Sequence, residues 1–185
     1  MHYTLCDMIA DITQNGIEAG AAKVCVELTE TEKTLTVYVR DNGKGMSPET
    51  LKKVQDPFYT DGVKHPNRKV GLGIPFLIQT ISETGGSWNI SSELGKGTTV
   101  YMQFDLTNID TPPVGDVPGL FRQVLLLQNT VPGYEMEISR KKETTSETLD
   151  YSILRSELVD ALGDLENGKS LALLGDFLYS QETAD

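Results

Sequence analysis

Cysteine and histidine are scarce in this 185-residue chain, at two residues each. Cys6 and Cys25 have no metal-binding spacing and sit in strongly periodic segments, so both are expected to be reduced core residues. His2 stands at the start and His65 beside Pro66, and neither has the neighbours a metal site needs. Basic residues are outnumbered, with 16 Lys and Arg against 27 Asp and Glu and a net charge of −11. Such a surface repels nucleic-acid phosphates and has no electrostatic pull toward anionic lipid. No apolar run approaches the roughly 20 residues of a membrane-spanning helix. Met1 to Thr4 lacks both the basic start and the apolar run of a signal peptide. These absences predict a cytoplasmic protein with neither nucleic acid nor membrane as partner. Apolar residues make up 38% of the chain, a globular composition that can bury its own core.

The acidity is uneven. Residues 1–107 carry ten bases and thirteen acids, net −3, and residues 108–185 carry six bases and fourteen acids, net −8. Between them lies a proline- and glycine-bearing connector, Asn108 to Asp116. The expected division is 1–107 and 108–185, with no internal repeat in either.

Leu5, Met8, Ile9 and Ile12 form an apolar stripe that predicts a helix over 3–19. Asp11, Asn15 and Glu18 follow the same spacing and share a second face, which borders the stripe and should look into a cleft. Val24, Val26 and Leu28 alternate, as do Leu35, Val37 and Val39, so two strands flank a polar turn. Ser47-Pro48-Glu49 is a helix start, with Ser47 as cap. Residues 59–70 read as a basic loop, and Gly71 to Pro75 opens a helix that runs to Gly85-Gly86. Strands over 87–92 and 98–106 follow, joined at Gly95-Lys96-Gly97. Hairpin strands with segregated helices predict an α+β two-layer sandwich. After the connector, the pattern predicts a helix over 117–128, a strand at 134–138, a weaker strand, and helices over 152–162 and 169–179. That makes residues 108–185 a small α/β appendage.

Four polar pieces carry the chemistry. Asp11 and Asn15 lie one turn apart. The Asn amide oxygen is a hard ligand suited to Mg²⁺, and a carboxylate one turn away can orient or deprotonate a nucleophile. The same row also reads as a solvated polar face. Asp41 ends a strand and enters a glycine loop, where it can accept a hydrogen bond from an exocyclic amine while Gly43 and Gly45 let a flat ring approach. Asp-Asn-Gly is equally an ordinary turn. Gly71-Leu72-Gly73 opens a helix whose free amides and positive dipole end can hold a phosphate, with Lys64, Arg68 and Lys69 just before it. It is neither a Rossmann fingerprint nor a Walker loop. Gly95-Lys96-Gly97-Thr98 places a hydroxyl at a strand start, in what is also a plain hairpin turn.

In their order, these pieces resemble the gyrase, heat-shock chaperone, histidine-kinase and mismatch-repair (GHKL) ATP-binding superfamily. Asp11 to Asn15 resembles its N box and Asp41 to Met46 its first glycine box. Asp56 to Thr60 resembles the histidine-kinase F box and Val70 to Pro75 the second glycine box. Gly95 to Thr99 resembles the terminal Gly-x-Gly-Thr hairpin. The resemblance covers residues 1–107 and implies a Bergerat-type ATP-binding fold, with ATP and Mg²⁺ as cofactors. It implies that Asn15 coordinates Mg²⁺ and that Asp41 binds the adenine amino group. Gly45, Met46 and Thr98 would line the base, Gly43 would let it approach the backbone, and Glu18 would support it through water. Lys69 and the amides of Gly71, Leu72 and Gly73 would face the phosphates under a lid formed by 59–70.

Asp11 stands where chaperone, gyrase and mismatch-repair members carry a glutamate base, and it is one methylene shorter. The phospho-acceptor histidine and dimerisation helices of a sensor kinase have no counterpart, and neither His2 nor His65 has an acceptor-helix context. Ile109 to Asp116 resembles the tail of short, stand-alone histidine-kinase-like ATP-binding proteins. The expected function is a soluble protein kinase or slow ATPase that acts on a separate partner protein, with Asp11 as the catalytic residue that orients a hydroxyl, imidazole or water in line with the γ-phosphate. The alternative is a non-catalytic, ATP-dependent switch. A decayed structural domain would be at odds with intact Asn15, Asp41 and glycine boxes.

Overall fold

A computed structural model describes residues 3–56 and 73–183. The first helix, α1 (Leu5–Glu18), begins at a reciprocal cap. Thr4 Oγ1 accepts the Asp7 amide at 3.2 Å, and the Asp7 carboxylate accepts the Thr4 amide at 2.8 Å. Its apolar stripe of Leu5, Met8, Ile9 and Ile12 is buried. Then come β1 (Lys23–Thr31), β2 (Thr34–Asp41) and the short α2 (Pro48–Val54), capped by Ser47. Helix α3 (Gly73–Thr84) leads into β3 (Ser87–Glu93) and β4 (Gly97–Asp105). Beyond the connector lie α4 (Val117–Leu125), β5 (Glu135–Glu143), β6 (Thr148–Leu154), α5 (Arg155–Leu162) and α6 (Gly168–Glu182).

The six strands form one sheet in the order β3-β4-β2-β1-β5-β6. All neighbours are antiparallel except β1 and β5, which pair in parallel from Lys23↔Glu135 to Thr31↔Glu143. Strands from beyond the connector thus extend the sheet begun by the first part of the chain. Val24, Val26 and Leu28 of β1, Leu35, Val37 and Val39 of β2, Val100, Met102 and Phe104 of β4, and Met136 and Ile138 of β5 are buried on one face. That face packs against the stripe of α1 and against Leu77 and Ile81 of α3, in a single hydrophobic cluster. Leu120, Phe121 and Val124 of α4 and Leu174 and Leu178 of α6 join the same cluster. The result is the α+β sandwich the strand and helix pattern predicts.

Two expectations shift. The helix expected over 152–162 starts at Arg155, because Ser152, Ile153 and Leu154 pair with Ser139, Ile138 and Glu137 of β5. Ile153 is buried there, and its alternation with neighbours outweighs a helical spacing read from a short window. The helix expected to reach residue 128 stops at Leu125. A third expectation shifts as well: Cys6 is a core residue, but Cys25 alternates with buried Val24 and Val26 and so lies half-buried on the open sheet face; both are free.

The connector is fixed to the start of α1. The amides of Leu5 and Cys6 donate to the carbonyls of Pro113 and Val114, each at 2.9 Å, which satisfies two of the helix's orphan donors. A buried charge cluster holds the last helix. Arg140, 1% exposed along its side chain, donates to Glu30 of β1 at 2.6 Å and to Glu182 of α6 at 2.9 Å. Tyr151 adds a hydrogen bond to the same Glu182 at 2.6 Å. Among the described residues, no helix is long and apolar enough to cross a membrane.

Candidate functional site

Strand register assembles one side of the site. Asp41 on β2 pairs with Thr98 on β4, and Thr98 pairs with Ser92 on β3. Side chains at paired positions share a sheet face, so the three form a polar row at the end of the helix-covered face. Val24, paired with Asp41 on β1, is buried on that same face.

The loop Asp41 to Met46 is clamped from two directions. Asn42 Oδ1 accepts the amides of Ala22 and Lys23, both at 2.8 Å, and the Lys44 amide donates to the Ala19 carbonyl at 2.9 Å. On the other side, the Gly95 amide donates to the Lys44 carbonyl at 2.7 Å. Gly45 has φ of +64° and lies so near Glu93 that a β-carbon there would collide with its carbonyl oxygen. Only glycine meets both conditions. The first glycine box and the terminal hairpin are therefore one interlocked unit, which a reading of separate motifs does not show.

Within that unit, Asp41 Oδ1 accepts the Gly43 amide at 2.9 Å. Burial raises the Asp41 pKa, and the amides of Gly43 and Thr98 partly offset this. Among the described residues this half-buried carboxylate forms no ion pair, and it keeps acceptor capacity beyond the Gly43 and Thr98 amides. Ser92 Oγ accepts the Met46 amide at 2.8 Å and donates to the Gly97 carbonyl at 3.0 Å. The same oxygen lies 2.8 Å from Thr98 Oγ1. Ser92 carries no sequence signal, since a serine in an alternating strand is unremarkable. Its part in the site comes from strand pairing alone.

Helix α1 supplies the second side. Asp11 and Asn15 lie one turn apart, and the start of α3 approaches both. A β-carbon on Gly73 would stand 3.6 Å from Asp11 Cβ and 3.9 Å from Asn15 Nδ2. Tyr3 donates its phenolic hydrogen to Asp11 Oδ2 at 2.8 Å, and its ring meets Phe76 of α3 edge-on, with centroids 4.9 Å apart. Burial, then the hydrogen bond to Asp11, push the Tyr3 pKa well above its ordinary value, so the phenol stays a donor. The sequence places Tyr3 inside the first helix, whereas α1 begins at Leu5, so the reach of Tyr3 back to Asp11 carries no sequence signal. Glu18 is exposed at the far end of α1, where Gln14 donates to it at 2.9 Å.

Among the described residues, no cluster of three or more His, Cys, Asp or Glu side chains could hold a metal ion. The side-chain amide of Asn15 makes no hydrogen bond among them either. An amide oxygen beside a carboxylate is nonetheless a hard donor pair that fits Mg²⁺, an ion that takes few protein ligands and completes its shell with phosphate and water. Lys69, Gly71 and Leu72, with the basic loop 59–70 and most of the F box, lie outside the described residues. Asp11, Asn15, Asp41, Gly43, Gly45, Met46, Gly73 and Thr98 are all described.

Comparison with known proteins identifies the family. The chain is 35% identical over 88 residues to the CAI-1 autoinducer sensor kinase/phosphatase CqsS of Vibrio cholerae, a match over 48% of this chain and 12% of that protein. It is 38% identical over 79 residues to the sensor protein SrrB of Staphylococcus aureus, over 42% of this chain and 14% of that protein. The matched stretch is thus a small part of each relative. The profile of the family described as histidine kinase-, DNA gyrase B-, and HSP90-like ATPase matches residues 3–108, more than half of the chain. The chain belongs to that family, and its first part is an ATP-binding, kinase-like GHKL domain.

Proposed function

We propose that this chain binds ATP with Mg²⁺ and acts as a soluble, cytoplasmic, histidine-kinase-like protein kinase or slow ATPase on a separate partner protein. The observation that carries the reading is the interlock of the Asp41 loop with the Thr98 hairpin, facing the Asp11–Asn15 row on α1. Asp41 would accept from the adenine amino group, with Met46 and Thr98 beside the base and Glu18 reached through water. The Asn15 amide oxygen would hold Mg²⁺, which when bound neutralises charge on the phosphates. Lys69 and the amides of Gly71, Leu72 and Gly73 would face those phosphates at the positive end of α3.

Asp11 keeps one carboxylate oxygen bonded to Tyr3. That leaves the other to orient a hydroxyl, an imidazole or a water toward the γ-phosphate. Phosphoryl transfer rests on positioning and charge neutralisation, and an oriented acceptor of this kind suits it. The printed names of the relatives, a sensor kinase/phosphatase and a sensor protein, support a kinase-like role, while their full activities belong to much longer chains.

Incubation with γ-labelled ATP tests the reaction. Labelled phosphate or a labelled partner protein is expected from the wild type. Asp11→Ala is expected to abolish both and to keep ATP binding. ATP binding without either product, even with candidate partners, would replace the enzyme with a non-catalytic, ATP-dependent switch.

A further inference from the structure

The proton count around Ser92 is fixed by its partners. A serine hydroxyl has one hydrogen and two acceptor positions. The Gly97 carbonyl can only accept, so the contact at 3.0 Å takes the Ser92 hydrogen. The Met46 amide can only donate, so the contact at 2.8 Å uses one Ser92 lone pair. With the Ser92 hydrogen on the Gly97 carbonyl, the remaining contact, 2.8 Å to Thr98 Oγ1, runs from Thr98 to Ser92. Thr98's single hydrogen is thereby turned along the strand row toward β3. What the Thr98 hydroxyl offers to the Asp41 side of the row is lone pairs only, and the Thr98 amide is already taken by the Asp41 carboxylate. Asp41 itself, as a carboxylate, also only accepts, with the Gly43 amide already on Oδ1.

We infer that Ser92 is a positioning residue for base specificity: it commits the Thr98 hydroxyl hydrogen and so makes the Asp41–Thr98 wall acceptor-only, selecting a purine whose six-position carries an amino group. The inference rests on the proposed placement of the base beside Asp41. An exocyclic amine brings two hydrogens to such a wall. A six-oxo purine brings a carbonyl oxygen, which meets lone pairs there and finds no donor. A site whose polar groups would be left unpaired rejects an analogue more strongly than one that merely loses a contact. With Ser92 removed, the Thr98 hydroxyl is free to turn and donate, and the six-oxo base gains a partner.

The test is calorimetric titration of the full chain, in Mg²⁺, with ATP and separately with inosine triphosphate, whose base carries oxygen at the six-position. Wild type is expected to prefer ATP. Ser92→Ala is expected to narrow the ATP-to-ITP affinity ratio about tenfold, the effect of one hydrogen bond gained or lost. Ser92→Thr, which keeps the hydroxyl, is expected to restore the ratio. Because Ser92 acts through Thr98, Ser92→Ala is expected to leave the ratio unchanged in a Thr98→Val background. A role confined to loop stability would weaken both nucleotides equally. An unchanged ratio in Ser92→Ala, with ATP still bound, overturns the inference alone. Wild type that binds neither nucleotide overturns the ATP-site reading and the inference with it.

Discussion

The Asp41 carboxylate packs directly on Gly16 of α1: a β-carbon at position 16 would stand 3.1 Å from Asp41 Cβ and 3.2 Å from its Oδ2. The helix that carries Asp11 and Asn15 therefore also forms the backstop of the Asp41 side chain. Gly16→Ala is expected to push the carboxylate out of place by a few tenths of an ångström. ATP affinity should fall about tenfold, a loss on the order of 1.4 kcal/mol. The melting temperature should change little, since alanine adds about 1 kcal/mol of helix propensity against the local crowding. Calorimetry and a thermal melt on the same sample check both halves.

Burial makes a charge on Asp41 costly. Its pKa in the folded chain is raised above the ordinary 3.8 by burial. Such a group contributes stability that is present at low pH and is lost as pH rises through the folded-state pKa. At neutral pH the charge opposes folding. Asp41→Asn keeps the acceptor for the Gly43 amide and removes the charge. Its melting temperature at pH 7 is expected to rise by about 2–4 °C, while ATP affinity falls. Melts recorded from pH 4 to 7 should show the gap between variant and wild type widening with pH.

The first part of the fold was legible because its periodicities are long and its turns carry glycine and proline. The Leu5–Ile12 stripe, the Val24–Leu28 and Leu35–Val39 alternations and the Ser47 cap each state their own element. The pairing of β5 with β1 was not legible, because a parallel contact joins strands more than a hundred residues apart and no turn announces it. The Ser152–Leu154 stretch was misread as helix for a related reason: three residues cannot display a period, and pairing with β5 decided them. In the site, the motif residues were visible by type and spacing. Ser92, Tyr3 and the anchoring role of Asn42 were not, since their partners come from other elements.

Tyr3 donates to Asp11 and touches α3 through Phe76. Tyr3→Phe removes the hydroxyl and keeps the ring contact. If Asp11 serves the reaction, turnover is expected to fall about tenfold, the scale of one hydrogen bond to a charged group, with ATP affinity unchanged. Separate measurement of kcat and of nucleotide binding distinguishes this from general destabilisation, which would alter both.

The Arg140 cluster lies toward the opposite end of the sheet, where Arg140 pairs with Leu28 and Asp41 pairs with Val24. Arg140→Ala leaves Glu30 and Glu182 buried without their cation. The expected loss is about 3–5 kcal/mol, read from urea unfolding, with release of α6 from the sheet. At concentrations where the variant remains folded, its ATP affinity should match the wild type.

The central claim is that Asp41 anchors an ATP site. Titration of the pure protein with ATP in Mg²⁺, beside Asp41→Ala under the same conditions, tests it most directly. Saturable heat is expected for the wild type, with an affinity at least tenfold weaker for the variant. No heat with the wild type, or the same affinity in Asp41→Ala, would contradict it.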